Sequence, residues 1–131
     1  MRNRGSAILL KENKVALIKR VREGDVYFVF PGGGIEAGET PEMATKREVL
    51  EELGVKILVK ECFEQVKYNG VQYFFLAEVL EGEVGIGMGE EFTDLTRSRG
   101  TYEPMWVKVS DIPSLDVRPR QVVERICAVF N

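Results

Sequence analysis

Apolar and polar residues alternate along much of the chain, in short runs that are rich in aromatic and β-branched side chains. Such runs predict β-strands, and they lie at residues 4–10, 15–21, 26–30, 55–68, 71–80 and 102–109. The tetrapeptide KENK (11–14) joins the first two runs, and Asn69-Gly70, a strong hairpin signal, joins two later ones. The segment PGGG (31–34) follows the third run and predicts a loop.

Two segments have the period of amphipathic helices. The first begins after Thr40, a good N-cap, has Pro41 at its first position and ends at Leu53, before Gly54. The second covers residues 120–130, and its apolar face consists of Val122, Val123, Ile126, Cys127 and Phe130. Strands, a helix, paired strands and a second helix predict one α+β (mixed α/β) domain over residues 1–131, with a helix on each face of a mixed sheet.

The first helix has a polar arc that is unusually acidic. At about 100° per residue, its apolar arc consists of Met43, Val49, Leu50 and Leu53, which we expect to face the core. The roughly opposite arc consists of Glu48, Glu51 and Glu52. Like charges at this spacing repel by a few tenths of a kcal/mol per pair. The stretch REVLEELG (47–54) is therefore a poor arrangement unless a cation neutralises it.

Composition narrows the classes of protein that the chain resembles. Its 131 residues are 44% hydrophobic and 30% charged, with a net charge of −3 and a pI near 5.2. The sequence has no basic tail or basic stripe, so a nucleic-acid polymer is not a favoured partner. No apolar run approaches the roughly 18 residues that span a bilayer. We therefore expect a cytoplasmic protein, monomeric or homodimeric, with Cys62 and Cys127 as buried free thiols.

The chain contains no histidine, so it lacks the commonest general base and the commonest transition-metal ligand. Hydrolytic chemistry would have to come from carboxylates, lysine, tyrosine, a hydroxyl group or a bound hard cation. Oxygen ligands favour Mg²⁺ or Mn²⁺, and the acidic arc of the first helix is the place where such oxygens are concentrated.

Residues 33–55, GGIEAGETPEMATKREVLEELGV, resemble the Nudix box. The family pattern is Gly, five residues, Glu, seven residues, Arg-Glu, an aliphatic, any residue, Glu-Glu, any residue, Gly and an aliphatic. The matching positions are Gly33, Glu39, Arg47, Glu48, Val49, Glu51, Glu52, Gly54 and Val55. The preceding VYFVFPGG and the order of strands are also similar to the family, which implies a Nudix-like α/β/α sandwich with a mixed β-sheet.

The resemblance implies a MutT-like, Mg²⁺- or Mn²⁺-dependent hydrolase. It would use water to cleave the pyrophosphate linkage of a nucleoside diphosphate linked to another moiety. By matched position, the metal ligands are implied to be Gly32 (through its carbonyl), Glu48, Glu51 and Glu52. One of these glutamates, often the one equivalent to Glu48, would also help to activate water.

The other matched positions have supporting roles. Arg47 is implied to orient a glutamate, and Glu39 to brace the loop or to add a ligand through water. Gly33 and Gly34 are implied to let the backbone approach metal and phosphate. Some relatives that cleave nucleoside triphosphates carry lysine where this chain has Gly34, which weakens the transfer of their substrate.

Three candidates lie outside the box. Glu91, or its neighbour Glu90, stands in the glycine-rich segment 81–101, from which many family members supply a further ligand or general base. Tyr73 stands near a position associated with dinucleoside-polyphosphate hydrolases of the family. Arg20 would meet phosphate if its strand faces the cleft. An acidic loop, a packed strand tyrosine and a solvated strand arginine are the ordinary alternatives.

Two other functions remain open at this point. One is a catalytically silent Nudix domain that senses a nucleotide ligand, although the intact Glu51-Glu52 pair argues against it. The other is an interaction module that merely carries acidic residues. A divalent-ion titration separates them, since an enzyme binds the ion and turns over, a sensor binds nucleotide without turnover, and a module does neither.

Overall fold

The computed structural model of the chain describes residues 2–84 and 101–130. Its strands are β1 (Arg4–Lys11), β2 (Lys14–Arg22), β3 (Asp25–Val29), β4 (Gly32–Gly34), β5 (Lys56–Lys67), β6 (Val71–Glu81), β7 (Thr101–Lys108) and β8 (Val117–Arg118). Its helices are α1 (Pro41–Leu53), a 3₁₀ helix (Val109–Ser114) and α2 (Arg120–Phe130). No helix in these two ranges is long and apolar enough to cross a lipid bilayer.

The described strands form a mixed sheet in the order β5-β6-β1-β2-β3-β8, with β4 paired to β1 and β7 paired to β2. β1 runs parallel to β6, and β3 runs parallel to β8, whereas the other pairs are antiparallel. The N-terminal half of β1 lies between β4 and β6, and only its last two residues pair with β2. This confirms the predicted α+β class with a mixed sheet.

Apolar side chains fill both sides of the sheet. On β1, Ala7 and Leu9 pack with Val49 and Leu53 of α1, whereas Ile8 packs in a second cluster that includes residues of α2. This alternation follows from the period of two along a strand. A helix therefore covers each face, as the sequence predicted.

Tight turns set the register of the hairpins. Glu12 and Asn13 have φ values of 52° and 64°, and Asn69 and Gly70 have values of 50° and 110°. Two successive positive φ values are typical of the type I′ turn, whose twist matches that of the flanking strands. The predicted turns at KENK and Asn69-Gly70 are confirmed.

The loop predicted at residues 31–34 is wrong for three of its residues. Gly32–Gly34 form β4, which pairs antiparallel with β1 in the register Gly34↔Arg4 and Gly33↔Gly5. Glycine is a poor strand former on average, but a pair of facing glycines lets two backbones lie together beneath a helix. Residues 32–34 form a strand because they pair with β1, and the strand propensities of these residues alone do not predict that pairing.

The predicted inward arc of α1 is also partly wrong. Met43 is 52% exposed and Leu50 is 39% exposed, whereas the buried residues of the helix are Ala44, Thr45, Val49 and Leu53. The cause is the close approach of α1 to β1. A Cβ placed on Gly5 would overlap the Thr45 hydroxyl and crowd the Pro41 carbonyl oxygen, so only small side chains fit on this side of the helix.

The expectation of two buried thiols is wrong for Cys62. Cys62 is exposed and Cys127 is intermediate in exposure. Cys62 lies on β5, at the end of the strand order, between two register shifts in the pairing of β5 with β6. Such irregularities disrupt regular pairing at a sheet edge, and here they accompany a thiol that faces solvent.

Candidate active site

The glycine strand β4 is the floor of the candidate site. The backbone N–H of Ala7 donates to the Pro31 carbonyl (2.9 Å) and that of Ile35 donates to the Asn3 carbonyl (3.0 Å). Because antiparallel strands alternate between inward and outward backbone groups, the groups of Gly33 face β1 and those of Gly32 and Gly34 face the opposite edge. That edge is turned towards α1.

Two glutamates of α1 reach this edge. Oε1 of Glu52 accepts a hydrogen bond from the backbone N–H of Gly32 at 2.7 Å. The carboxylate of Glu48 lies against Gly33, where an added Cβ would overlap it, and the Glu48 side chain is only 18% exposed. Both carboxylates therefore lie within the sheet-facing part of the helix, between its buried apolar residues.

Glu51 lies differently from the other two. Its side chain is 55% exposed, and its Oε1 lies 3.6 Å from Nη1 of Arg47. The sequence placed the three glutamates on one solvated arc, but the structure separates them into two part-buried carboxylates beside β4 and one that faces solvent.

Arg47 connects the helix to the segment that follows β4. Its Nε and Nη2 donate to the two carboxylate oxygens of Glu39, at 2.8 Å and 3.0 Å. Nη2 also donates to the carbonyl of Gly34 at 3.0 Å. A bidentate guanidinium–carboxylate contact is short and directional, so this pair fixes the glycine strand relative to α1.

The same contacts set the electrostatics of Glu39. The Arg47 hydrogen bond, assisted by the backbone N–H of Glu36, lowers the pKa of Glu39 from its ordinary value of 4.5 to about 2. The Glu39 carboxylate in turn raises the pKa of Arg47, with smaller contributions from the charges of Glu48 and Glu36. Glu39 is therefore a charged brace, consistent with the role that its matched position implied.

A cleft of about 450 Å³ opens on the other side of β4. Phe30 and Phe74 meet edge to face in it, with ring centroids 5.7 Å apart. The rest of its lining consists of Arg4, Ser6, Val29, Val66, Lys67, Tyr68, Gln72, Arg118 and Pro119. A cavity of this size, apolar at its centre and polar at its rim, is typical of a site for a small organic ligand.

The Nudix domain family model matches residues 1–126 of the chain. The chain belongs to the Nudix family. The family resemblance of residues 33–55 is thereby confirmed, and Nudix proteins generally use divalent metal ions.

Three similar proteins illustrate the range of the family. The chain is 51% identical over 83 residues to an 8-oxo-dGTP diphosphatase from Haemophilus influenzae, covering 60% of this chain and 53% of that protein. It is 34% identical over 99 residues to an ADP-ribose pyrophosphatase from Methanocaldococcus jannaschii, covering 67% and 59%. A crystal structure of a MutT Nudix hydrolase from Burkholderia pseudomallei matches at 25% identity with a TM-score of 0.71, covering 95% and 97%. The chain thus spans little more than half the length of these two curated relatives.

The donor set of the Nudix site fits a hard divalent cation. Among the described residues, no group of three acidic, cysteine or histidine side chains converges closely enough to hold an ion by itself. Mg²⁺ does not need such a group, because it is usually bound through one or two carboxylates with waters and substrate phosphates. Glu48, Glu52 and the outward carbonyl of Gly32 supply hard oxygens of this kind.

The other predicted residues lie elsewhere. Tyr73 pairs with Gly5, whose missing side chain faces α1, and its ring stacks on Phe75 with centroids 6.3 Å apart. Its side chain therefore lies on the sheet face opposite to the cleft. Arg20 is not part of the cleft lining, and its guanidinium lies 3.9 Å from the centroid of the Tyr102 ring. Contact of either residue with substrate stays a prediction. Glu90 and Glu91 lie outside the described residues.

The sequence did not reveal the cleft. Arg4, Ser6, Phe74 and Gln72 meet there because β1 runs parallel to β6, with Arg4 opposite Gln72 and Ser6 opposite Phe74. Parallel pairing between strands so far apart in sequence leaves no local signal. Only Phe30 among the lining residues had a local signal in the sequence. It immediately precedes Pro31 and the glycine strand, which marks it as close to the site.

Proposed function

We propose that this Nudix protein hydrolyses the pyrophosphate linkage of a nucleoside diphosphate linked to another moiety, with Mg²⁺ or Mn²⁺ as cofactor. The observation that carries the proposal is the pair of part-buried carboxylates, Glu48 and Glu52, beside the glycine strand. Two part-buried carboxylates beside each other concentrate hard oxygen ligands for a divalent cation. Arg47, 3.5 Å from Glu48, balances part of their charge, and a bound metal ion would balance more of it.

Glu48, Glu52 and the Gly32 carbonyl would hold the cation, with Glu51 joining through rotation of its exposed side chain. When bound, a divalent cation acidifies and orients water and neutralises charge on phosphate oxygens. The hydrogen bond from Gly32 fixes the carboxylate of Glu52, and the Arg47–Glu39 brace holds the backbone of Gly34. Positioning of this kind is the main contribution that a protein makes to phosphoryl transfer.

In the proposed reaction, the oxygen of water forms a bond to one phosphorus and the bridging P–O bond breaks. The bridging oxygen leaves on the second phosphate, so the products are two phosphate monoesters. The proton released by water passes to a carboxylate beside the glycine strand, for which the matched position favours Glu48, and then to solvent. No oxidant or other reactant is needed.

The cleft accounts for the nucleoside part of the substrate. Tyr68, which is 68% exposed, offers aromatic surface on which a base can stack, and Gln72 offers hydrogen-bonding groups. Phe30 and Phe74 are only 4% and 2% exposed and pack in the core beneath the cleft. The names of the two curated relatives support the reaction type, since a diphosphatase and a pyrophosphatase both cleave the same anhydride bond. Those names differ in the group attached to the diphosphate.

A hydrolysis panel tests the proposal. Nucleoside triphosphates, oxidised nucleotides, ADP-ribose, dinucleoside polyphosphates and nucleotide sugars are incubated with the protein and Mg²⁺, Mn²⁺ or EDTA. We expect metal-dependent turnover of at least one substrate, and a loss of at least ~100-fold for Glu52→Gln, as for removal of a key electrostatic group.

The matched control is Glu124→Gln, because Glu124 is an exposed glutamate on α2. It should leave turnover unchanged. Full activity of Glu52→Gln on the best substrate would overturn the proposal. Nucleotide binding without any turnover would indicate the silent sensor instead.

A further inference from the structure

Helix α1 lies directly against Gly5, in the middle of the sheet. A Cβ placed on Gly5 would overlap Oγ1 of Thr45 and would lie 2.7 Å from the carbonyl oxygen of Pro41. Protein interiors are close-packed, so such overlaps are relieved only by movement of a neighbour. Position 5 therefore accepts a hydrogen atom and nothing larger while α1 stays where it is.

Thr45 is the side chain that fills this contact from the helix. It is fully buried, and its hydroxyl donates to the carbonyl of Pro41, one turn earlier, at 2.8 Å. A threonine in a helix commonly satisfies its hydroxyl in this way. The hydroxyl hydrogen is thus used within the helix, and Thr45 meets Gly5 through van der Waals contact.

The same side of α1 carries the carboxylates of the candidate site. Thr45, Glu48 and Glu52 are three and four residues apart, so they lie along one stripe of the helix. Gly5 pairs with Gly33 across β1 and β4, and the Cβ positions of these two glycines meet Thr45 and Glu48, respectively. Two facing glycines therefore receive two successive contacts of one helix.

These contacts differ in how far they can adapt. Glu48 reaches β4 with the end of a flexible side chain, and Glu52 accepts a hydrogen bond from the Gly32 N–H at 2.7 Å. The contact at Gly5 instead involves the backbone of Pro41 and a short, hydrogen-bonded side chain. A rigid contact sets a distance between two elements, and longer side chains then have to reach across that distance.

We propose that Gly5 and Thr45 are positioning residues, whose contact sets the height of α1 above the sheet at which Glu48 and Glu52 reach the glycine strand. This inference rests on the proposed function, since these two carboxylates are the proposed metal ligands. A larger group at either position would move α1 outward and lengthen the hydrogen bond between Gly32 and Glu52. A displacement of about 1 Å caused far from the reacting atoms can lower a rate by about 100-fold.

A series of substitutions grades the size of this contact. Gly5→Ala adds a methyl group that overlaps Thr45 and crowds Pro41. Thr45→Val replaces the hydroxyl group with a larger methyl group, whereas Thr45→Ser keeps the hydroxyl group. The matched control is Val122→Ala, because Val122 is fully buried on α2, which covers the other face of the sheet.

The first measurement needs no metal. In EDTA, the amide proton of Gly32 reports its hydrogen bond to the Glu52 carboxylate through its chemical shift in an NMR correlation spectrum. We expect this proton to move upfield in Gly5→Ala and, by less, in Thr45→Val. It should keep its wild-type position in Thr45→Ser and Val122→Ala, and Glu52→Ala marks the position of the amide without this bond.

The second measurement is ion binding and turnover. The Kd of Mn²⁺ is obtained by titration calorimetry, and kcat and KM are obtained with the best substrate of the panel. We expect Gly5→Ala to weaken Mn²⁺ binding and to lower kcat by at least ~10-fold each, with a smaller change in KM. Thr45→Val should lose less, Thr45→Ser should match the wild type, and Val122→Ala should match it despite its lower stability.

A purely structural role predicts a different result. It would lower the melting temperature of Gly5→Ala and leave the Gly32 amide, the Kd and kcat unchanged, which would overturn the positioning role. Equal losses in Val122→Ala would also overturn it, since general destabilisation would then explain them. If Gly5→Ala does not fold, wild-type values for Thr45→Val overturn the proposal. Failure of the wild type to hydrolyse any substrate with metal refutes the proposed function instead, and the amide measurement still tests the contact.

Discussion

The two helices of this Nudix protein obey different rules. In α2 the apolar face predicted by helical periodicity is largely the buried one, with Val122, Val123 and Ile126 inside. In α1 helical periodicity predicts part of the buried face incorrectly, since Met43 and Leu50 face solvent. The hydrophobic pattern therefore predicts the orientation of α2 but not that of α1.

The difference lies in what each helix packs against. α2 covers an apolar layer, so burial of its large side chains determines its orientation. α1 approaches β1 and the glycine strand so closely that small residues and two carboxylates fill the interface. A helix that departs from its local pattern in this way is typical of a functional site, where a local cost is offset elsewhere.

The largest effect that tests this comparison concerns the glutamates of α1. Glu48→Gln removes a carboxylate beside β4, and we expect turnover to fall by at least ~100-fold. Glu51→Gln removes a carboxylate that is 55% exposed, so its loss should be smaller, about 10-fold or less. Steady-state kcat with the best substrate and Mg²⁺ measures both. Equal losses of kcat would mean that the burial of Glu48 and the exposure of Glu51 do not correspond to different contributions to turnover.

The orientation of α1 can also be tested through stability, with two leucines of the same helix. Leu53 is fully buried, and Leu53→Ala should cost about 2–5 kcal/mol of unfolding free energy. Leu50 is 39% exposed, and Leu50→Ala should cost under about 1 kcal/mol. Urea denaturation in EDTA separates these values from metal binding. If Leu50→Ala lowers the free energy of unfolding as much as Leu53→Ala does, Leu50 faces the core as helical periodicity predicted, and the orientation of α1 described above is wrong.

Helix α1, most of the strands and the chemistry of residues 33–55 could be predicted from the sequence, because these features depend on local signals. The Thr40 cap accepts from Met43 N–H at 3.1 Å, and Gly54 adopts a left-handed φ of 72°, both as the helix signals required. The missed features depend on partners far away in the chain. The face that α1 presents depends on Gly5, and the cleft depends on the pairing of β1 with β6.

A cation that binds the native state at the proposed site should stabilise it through the carboxylates of α1 and not through α2. At ten times its dissociation constant, Mg²⁺ should add about 1.4 kcal/mol, which raises the melting temperature of a chain of this size by roughly 5 °C. Glu52→Gln should abolish the rise, and Glu124→Gln on α2 should retain it. Differential scanning calorimetry with and without Mg²⁺ measures the shift. An equal rise in all three proteins would locate the ion away from the glycine strand.

The smallest effect concerns the brace that holds α1 to the glycine strand. Because Arg47 holds the pKa of Glu39 near 2, below its ordinary value of 4.5, the charged brace stabilises the fold fully above about pH 4.5. That contribution is lost as the pH falls through about 2. Glu39→Gln should therefore be less stable than the wild type near neutral pH, with a difference that shrinks between these limits.

Acid denaturation followed by circular dichroism, in EDTA and at low and high salt, measures this difference. Screening by salt should reduce it, since the pair is reached by solvent. The α2 variant Glu124→Gln is the reference, because its glutamate makes no described contact with Arg47. If the curves of Glu39→Gln and the wild type stay parallel down to pH 2, the ion pair does not hold the helix. The placement of α1 would then rest on Gly5 and its small neighbours.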